Sequence, residues 1–227
     1  GMARTAQAHT TQEVAERLGM GFAYGVEFIE LGLGSETERD FCRDDHNALG
    51  FHGNAILGPA MERPFLLRLA GGRHWFLQGG DQPRMGDRMA IGAVIPTEAG
   101  PMVAVSTHLE SNADATARAA QVAGLIDALD ARFPGLPVII GGDLNTGNHI
   151  GGDWRAETLF AHAAARGFAL HGEPEGQMTT RPSLITRWPE RAMKLDWFLT
   201  RGVRVERSWI VPSLDEDGRP LSDHDMV

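Results

Sequence analysis

A wholly apolar run that directly follows a long helix sets the architecture of this chain more firmly than any other pattern. Residues 111–133 begin with capping side chains at Ser111 and Asp114. Apolar residues then recur at helical spacing, namely Val122, Leu125, Ile126, Leu129 and Phe133. After Pro134 and Gly135, the run 137–140 (Pro-Val-Ile-Ile) is typical of a strand covered on both faces. Together the two segments predict a layered fold around a substantial core.

Further segments predict strands and helices on either side of this pair. Strands are expected at 55–57, 65–69, 74–77, 90–95, 102–108, 195–200 and 203–211. We expect 65–69 and 74–77 to form a hairpin, and the last two strands to pair around Gly202. Helices are expected after a cap at Thr10 or Thr11, with Val14 and Leu18 on one face and Gly19 after the end, and at 155–165. No linker divides the chain, so residues 1–227 are expected to form a single domain.

Composition limits the function classes only loosely. The net charge of −9 argues against a broad, non-specific grip on nucleic acid, which depends on many Lys and Arg contacts to phosphate. It is compatible with a phosphorylated substrate, because a site for divalent cations itself needs carboxylates. Cys42 is the only cysteine, so no intrachain disulfide forms and the redox compartment stays open. No apolar run approaches the roughly 18 residues of a membrane span, and the chain as given is expected to be cytoplasmic.

Four short segments carry the chemistry, and each lies at or just after the end of a predicted strand. They are 106–111 (Ser-Thr-His-Leu-Glu-Ser), 141–145 (Gly-Gly-Asp-Leu-Asn), 195–198 (Leu-Asp-Trp-Phe) and 222–224 (Ser-Asp-His). Asp143 and Asn145 alternate, so both side chains leave the same face of an extended segment. Carboxylate and amide oxygens are the donors that Mg²⁺ and Mn²⁺ prefer, and a histidine beside a carboxylate can transfer protons near neutral pH.

Each segment alone also has an ordinary structural interpretation. Asp-x-Asn often caps a turn, a lone Leu-Asp is commonly an edge carboxylate, and Asp-His near a terminus is commonly solvated. The ordered combination instead favours a metal clamp with a positioned histidine and an orienting acid, which are the parts that phosphoester hydrolysis needs.

In this order the segments resemble the endonuclease/exonuclease/phosphatase family, whose members include deoxyribonuclease-like nucleases, inositol-polyphosphate phosphatases and neutral sphingomyelinases. Residues 53–57 (Gly-Asn-Ala-Ile-Leu) are similar to the family's glycine-led second strand motif. The resemblance runs from about Met20 to the last residue. It implies an α+β fold, a four-layer α/β/β/α sandwich of two packed, mainly antiparallel sheets with outer helices. It also implies a Mg²⁺- or Mn²⁺-dependent hydrolase that cleaves a phosphoester by in-line attack of water.

The same resemblance implies roles for individual residues. The catalytic set is His108, Asp143, Asn145, Asp196 and His224. His224 would lie against the scissile phosphate with Asp196 as its partner, and His108 would hydrogen-bond a non-bridging oxygen. Asp143, Asn145 and Asp223 would hold the metal, with Asp143 also orienting the attacking water.

Substrate contacts are expected from Asn54, Arg181 and Arg187. Arg181 and Arg187 belong to a basic segment that precedes Asp196, which is either a substrate loop or a solvated loop with scattered charges. This kind of site suits a nucleic acid, a phospholipid head group, an inositol phosphate or a nucleotide, and the sequence leaves the choice open, with long duplex DNA the least favoured. A second copy of the chain could cover exposed edge strands as a homo-oligomer.

The sequence departs from the family pattern at both ends. The Asn of the family's first strand is missing, and the chain stops at Val227, just after the Ser-Asp-His segment that normally enters a strand. The metal-binding Glu of the family's Gln-Glu strand end has no counterpart, because Gln12-Glu13 lies within the first predicted helix. We therefore expect a chain clipped at both ends, without the N-terminal strands and most of the last strand. Glu27 and Glu30, three positions apart on one strand, are expected to be structural or solvated. Losing the metal-binding Glu is expected to weaken metal binding severely, so the alternative is that the chain as given is a catalytically inactive, phosphate-binding member of the same fold. A zinc hydrolase lacks a suitable histidine cluster.

Overall fold

The computed structural model describes residues 1–70, 75–76, 83–148, 152–183 and 192–227, with only the backbone at 75–76. The strands are β1 (Gly21–Glu30), β2 (Phe51–Gly58), β3 (Glu62–Arg68), β4 (Trp75–Phe76), β5 (Arg84–Gly86), β6 (Met89–Ile95), β7 (Met102–His108), β8 (Val138–Asp143), β9 (Ala169–His171) and β10 (Asp196–Arg201). The helices are α1 (Thr10–Leu18), α2 (Glu36–Arg39), α3 (Ala115–Arg132) and α4 (Leu159–Ala165), with 3-10 turns at Ala3–Thr5 and Trp154–Ala156. None of the helices within the described ranges is long and apolar enough to cross a membrane.

The strands form two mainly antiparallel sheets, which confirms the predicted α+β class. The chain divides into two compact units, one containing residues 1–69 and 73–106 and the other containing 70–72 and 107–227.

The first unit contains the four-stranded sheet β2-β1-β5-β4, the strands β3 and β6, and β7 up to residue 106. Strand β6 is buried along nearly its whole length, as its apolar sequence predicts. The predicted hairpin between 65–69 and 74–77 is wrong. Strand β3 pairs with β6, with Leu67 opposite Ala90, whereas β4 pairs with β5. A buried apolar strand such as β6 offers β3 more packing surface than a two-residue edge strand does.

The second unit contains the strands β8-β10-β9 together with α3 and α4. Helix α3 begins at Ala115 rather than Ser111, because the Asp114 side chain accepts a hydrogen bond from the Ala117 N–H at 2.8 Å. Its predicted apolar positions are all buried, namely Val122, Leu125, Ile126, Leu129 and Phe133. The apolar face of α3 that the helical periodicity predicted is therefore the face that is buried in the core of this unit.

The predicted strand at 203–211 is absent from the structure. Strand β10 is paired with β8 on one side and with β9 on the other, so neither edge is left for the segment that follows it. Within 203–211 the structure has one isolated bridge, between Val211 and Met226. The alternating pattern predicted an extended segment but could not identify a partner for it.

Helix α1 differs from its prediction at the cap and at the buried face. The ring Nδ1 of His9 accepts a hydrogen bond from the Gln12 N–H, so His9 caps the helix instead of a threonine. Val14 and Leu18 are exposed, and Ala15 is the buried residue of the helix. Gly19 has a φ of 63°, which confirms the predicted glycine after the helix end.

Candidate active site

Two carboxylates meet where β8 and β10 lie side by side. Asp196, the first residue of β10, is directly opposite Asp143, the last residue of β8. Facing residues on antiparallel strands have Cβ atoms roughly 5 Å apart, so the two acids belong to one site. The backbone before Asp143 is tightly packed, because a Cβ on Gly142 would lie 1.8 Å from the carbonyl oxygen of Thr107. The glycine therefore permits the close approach that sets the position of Asp143.

His224 is bound to the second of these carboxylates. Its ring Nδ1 lies 2.8 Å from Asp196 Oδ2, and its backbone N–H donates to Ser222 Oγ at 3.0 Å. Burial alone would lower the pKa of His224, but the hydrogen bond to Asp196 and the nearby charges of Asp143, Asp196 and Asp223 raise the pKa to about 9. The ring is therefore protonated at neutral pH in the metal-free protein, with Nδ1 donating to Asp196.

His108 faces the other carboxylate. Its Nε2 lies 3.5 Å from Asp143 Oδ2. Burial raises the pKa of the Asp143 carboxyl, the charges of His108 and His224 oppose this effect, and the negative charge of Asp196 adds to it. The side chains of His108, Asp143, Asp196 and His224 remain 23%, 20%, 18% and 32% exposed, so a small ligand can reach them. Two histidines and two acids thus share one half-buried site.

Asn145 lies in the turn after β8 and is nearly fully buried. Its φ of 49° is in the left-handed region, which Asn tolerates better than most residues. Its N–H donates to Asp143 Oδ1 at 2.8 Å, and its side-chain amide donates to the Leu109 carbonyl at 2.9 Å. Its Oδ1 accepts from Asn148 Nδ2 at 3.1 Å. Asn145 therefore holds one oxygen of Asp143 in place through its backbone.

The donors at this site suit Mg²⁺ or Mn²⁺ in kind. Asp143, Asp223 and Asn145 offer oxygen atoms, and the negative field of the acids is strong enough to raise the pKa of His224. Among the described residues, no group of three or more His, Cys, Asp or Glu side chains is arranged so that it could hold a metal ion. Mg²⁺ commonly takes one or two carboxylates and completes its shell with water and substrate phosphate, so these donors match the ion in chemical type.

The three residues expected to contact substrate lie in surroundings that differ from one another. Arg181 forms a two-pronged ion pair with Asp225, with Nε–Oδ1 and Nη2–Oδ2 distances of 2.6 Å. Burial would raise the pKa of Asp225, but the hydrogen bonds from Arg181 and the Ser213 N–H lower it. In the first unit, Asn54 lies on β2 and donates to the Met89 carbonyl at 3.3 Å. Arg187 lies outside the described residues, and the substrate roles of all three stay predictions.

Glu27 and Glu30 are buried in the first unit, each beside an arginine. Glu27 Oε1 is hydrogen-bonded to Arg88, whose side chain is also buried. Glu30 Oε2 lies 3.3 Å from Arg84 Nε, and burial raises the pKa of Glu30 while Arg84 opposes the rise. A structural role, one of the two expected, matches these surroundings; a solvated role does not.

Sequence reasoning missed the residues that support the site. Thr179 and Lys194 are fully buried, and Lys194 Nζ donates to the carbonyls of Pro174 and Gln177 at 2.8 and 3.0 Å. Burial lowers the pKa of Lys194. Arg118 and Glu157 form a fully buried ion pair. Arg118 left a signal, since a charged residue at 118 falls on the apolar face of α3, and Lys194 belongs to the basic segment before Asp196.

Comparison with known proteins gives a family match over most of the chain. The family model described as the Endonuclease/Exonuclease/phosphatase family matches residues 36–224. No curated protein matches the chain.

Solved structures match over nearly the whole chain at low identity. The catalytic domain of human Nocturnin with a bound sulfate anion is 17% identical, with a TM-score of 0.57, and the match covers 95% of this chain and 73% of that one. Truncated TDP2 from Caenorhabditis elegans is 14% identical (TM-score 0.58; 96% and 77% covered). D. rerio TDP2 complexed with a single-strand DNA product is 15% identical (TM-score 0.57; 95% and 78% covered). At these identities the likeness establishes the fold, and it confirms the predicted α+β sandwich.

Proposed function

We propose that this chain, which belongs to the Endonuclease/Exonuclease/phosphatase family, is a phosphoester hydrolase assisted by Mg²⁺ or Mn²⁺. The observation that carries the proposal is the Asp196–His224 hydrogen bond at 2.8 Å, with Asp143 opposite Asp196 in the same ladder. A histidine held by one acid beside a second acid supplies a proton donor and a water-orienting carboxylate at one point.

His224 is the proton donor in this proposal. Because its Nδ1 is bound to Asp196, the other ring nitrogen, Nε2, is left to face the substrate. A pKa of about 9 keeps the ring protonated at neutral pH. As the water oxygen bonds to phosphorus and gives a proton to Asp143, the ester P–O bond breaks and the leaving oxygen takes the Nε2 proton of His224.

Asp143 and His108 complete the proposed chemistry. Asp143 Oδ1 is fixed by the Asn145 N–H, while Oδ2 lies toward His108 and accepts a hydrogen bond from the attacking water. His108 hydrogen-bonds a non-bridging phosphate oxygen. A divalent ion held by Asp143, Asp223 and Asn145 would offset the negative charge of the phosphate.

The substrate is proposed as a phosphoester in a small or single-stranded molecule. One structural neighbour, TDP2 from D. rerio, is described as complexed with a single-strand DNA product, and human Nocturnin as binding sulfate, a tetrahedral anion like phosphate. The net charge of −9 opposes extended contact with duplex DNA. Single-stranded nucleic acid, nucleotides, inositol phosphates and phospholipid head groups therefore form the substrate panel.

The test is hydrolysis of bis-p-nitrophenyl phosphate and p-nitrophenyl phosphate in Mg²⁺ or Mn²⁺, followed by the natural panel. We expect metal-dependent turnover that is lost in Asp143→Ala and His224→Ala. His162→Ala, a change of an exposed histidine on α4, serves as the control and should keep full activity. Turnover that survives both site substitutions would contradict the assigned roles. Binding of a phosphorylated ligand without turnover of any substrate would favour the inactive, phosphate-binding alternative.

A further inference from the structure

The segment around Thr179 makes hydrogen bonds near both members of the Asp196–His224 pair, which forms the proposed proton donor and its carboxylate partner. Thr179 is fully buried, and its side-chain hydroxyl accepts hydrogen bonds from the backbone N–H groups of Leu195 and Asp196 at 2.9 and 3.1 Å. Strand β9 pairs with β10 only at Phe198–Thr200, so the start of β10 lies beyond the end of that neighbour. A hydroxyl oxygen has two lone pairs, and here both are used by the backbone that carries Asp196.

The backbone of residues 179–181 is hydrogen-bonded to residues 223–225, which include His224. The Thr179 carbonyl accepts from the Asp225 N–H at 2.7 Å, and the Arg181 N–H donates to the Asp223 carbonyl at 2.9 Å. Thr180 and His224 form an isolated antiparallel bridge between these two bonds. His224 is thus fixed on one side of residues 179–181, and Asp196 is fixed by the Thr179 side chain.

We propose that Thr179 is a positioning residue that sets the distance between Asp196 and His224 through its hydroxyl group. This inference rests on the proposed function for its catalytic consequence but not for its geometry. Without the hydroxyl, the N–H groups of Leu195 and Asp196 lose their acceptor, and a buried unpaired N–H is unfavourable. The start of β10 then shifts to find a new partner, and Asp196 moves relative to His224.

The experiment compares Thr179→Val, which removes the hydroxyl at nearly constant shape, with Thr179→Ser, which keeps it. Thr200→Val is the matched control, because Thr200 is a buried threonine at the other end of β10 whose hydroxyl is 2.8 Å from His171 Nε2. We expect kcat to fall about 10-fold or more in Thr179→Val, with KM little changed, since small misplacement of a catalytic group has effects of this size. Thr179→Ser should retain near-normal kcat, and Thr200→Val should lose stability without losing kcat.

A second readout does not depend on catalysis. In Thr179→Val the amide protons of Leu195 and Asp196 should exchange faster with solvent deuterium and shift in ¹H–¹⁵N spectra, whereas Thr179→Ser should leave both signals near their original positions. If the valine variant does not fold, Thr179→Ala takes its place in both assays. An unchanged kcat in Thr179→Val, or failure of Thr179→Ser to retain it, would overturn the proposal. If the wild-type chain hydrolyses no phosphoester but the amide signals still change in Thr179→Val, the proposed function is overturned and the positioning role is supported.

Discussion

The buried ion pair between Arg118 and Glu157 gives a sharp prediction about what holds the site loop in place. The Arg118 Nε lies 3.1 and 3.3 Å from the two carboxylate oxygens of Glu157, and both side chains are fully buried. Arg118 Nη2 also donates to the Asn148 carbonyl at 3.1 Å, and Glu157 Oε1 accepts from the Gly147 N–H at 2.9 Å. The pair therefore connects α3 to the loop that follows Asn145.

Glu157→Gln should lower the free energy of unfolding by about 3–5 kcal/mol, because it leaves the guanidinium charge of Arg118 buried without its counter-ion. The matched control is Glu175→Gln, which removes the partner of Arg155 in a pair whose side chains are 64% and 60% exposed. Water screens that pair, so its loss should change the free energy of unfolding by about 0–1 kcal/mol.

Urea titration followed by tryptophan fluorescence measures both variants against the wild type. We expect a large difference between the two Glu→Gln substitutions, because one removes a buried counter-ion and the other an exposed one. If Glu157→Gln lowers the free energy of unfolding no more than Glu175→Gln does, the Arg118 charge is not desolvated in the folded protein and the prediction is wrong. Replacing both partners, as in Arg118→Met with Glu157→Leu, should recover part of the loss, although the carbonyl of Asn148 and the N–H of Gly147 then lack their partners.

Two further predictions concern the site itself. The pKa of about 9 for His224 should be visible in an NMR titration of the metal-free protein and should fall in Asp196→Asn; an equal pKa in both proteins would contradict the assigned hydrogen bond. Because this pKa lies above the unfolded value of about 6.5, the stabilisation from His224 is fully present below pH 6.5 and is lost as the pH rises through about 9. Gly142→Ala should destabilise the fold by about 3 kcal/mol or more, since its Cβ would lie 1.8 Å from the Thr107 carbonyl oxygen. Gly124→Ala, with open space on α3, should instead stabilise the fold by about 0.8–1 kcal/mol. Thermal or urea unfolding measures both variants.

Local patterns predicted the elements whose signal is contained within one segment. The apolar spacing from Val122 to Phe133 marks a buried helix face whatever its neighbours are, and the structure buries all of those positions. The hairpin at 65–77 and the strand at 203–211 failed for a different reason. Each required a choice of pairing partner, and pairing depends on which sheet edges are still free after the rest of the chain has folded.

The same distinction applies to the site. Asp143, Asp196 and His224 were predicted as site residues because each lies in a short motif and the motifs occur in a characteristic order. Thr179 and Glu157 were not predicted, because neither lies in a recognisable motif. Both act through contacts that are made only in the folded chain. In the proposed mechanism the motif residues are the reacting groups, while Thr179 and Glu157 accept hydrogen bonds from the backbone near them.

The ladder between β8 and β10 explains why the two acids meet in this register and in no other. Phe198 lies opposite Gly141, and a Cβ on Gly141 would lie 2.5 Å from the Phe198 ring, so the ring occupies the space that the missing side chain leaves. A slip of one residue would set Phe198 against Ile140 or Gly142 and would turn the side chains of β10 to the opposite face. Asp196 would then no longer lie opposite Asp143. The glycines before Asp143 thus fix the alignment of the site as well as admitting the Thr107 backbone, which ties the geometry of the two acids to the packing of the sheet that carries them.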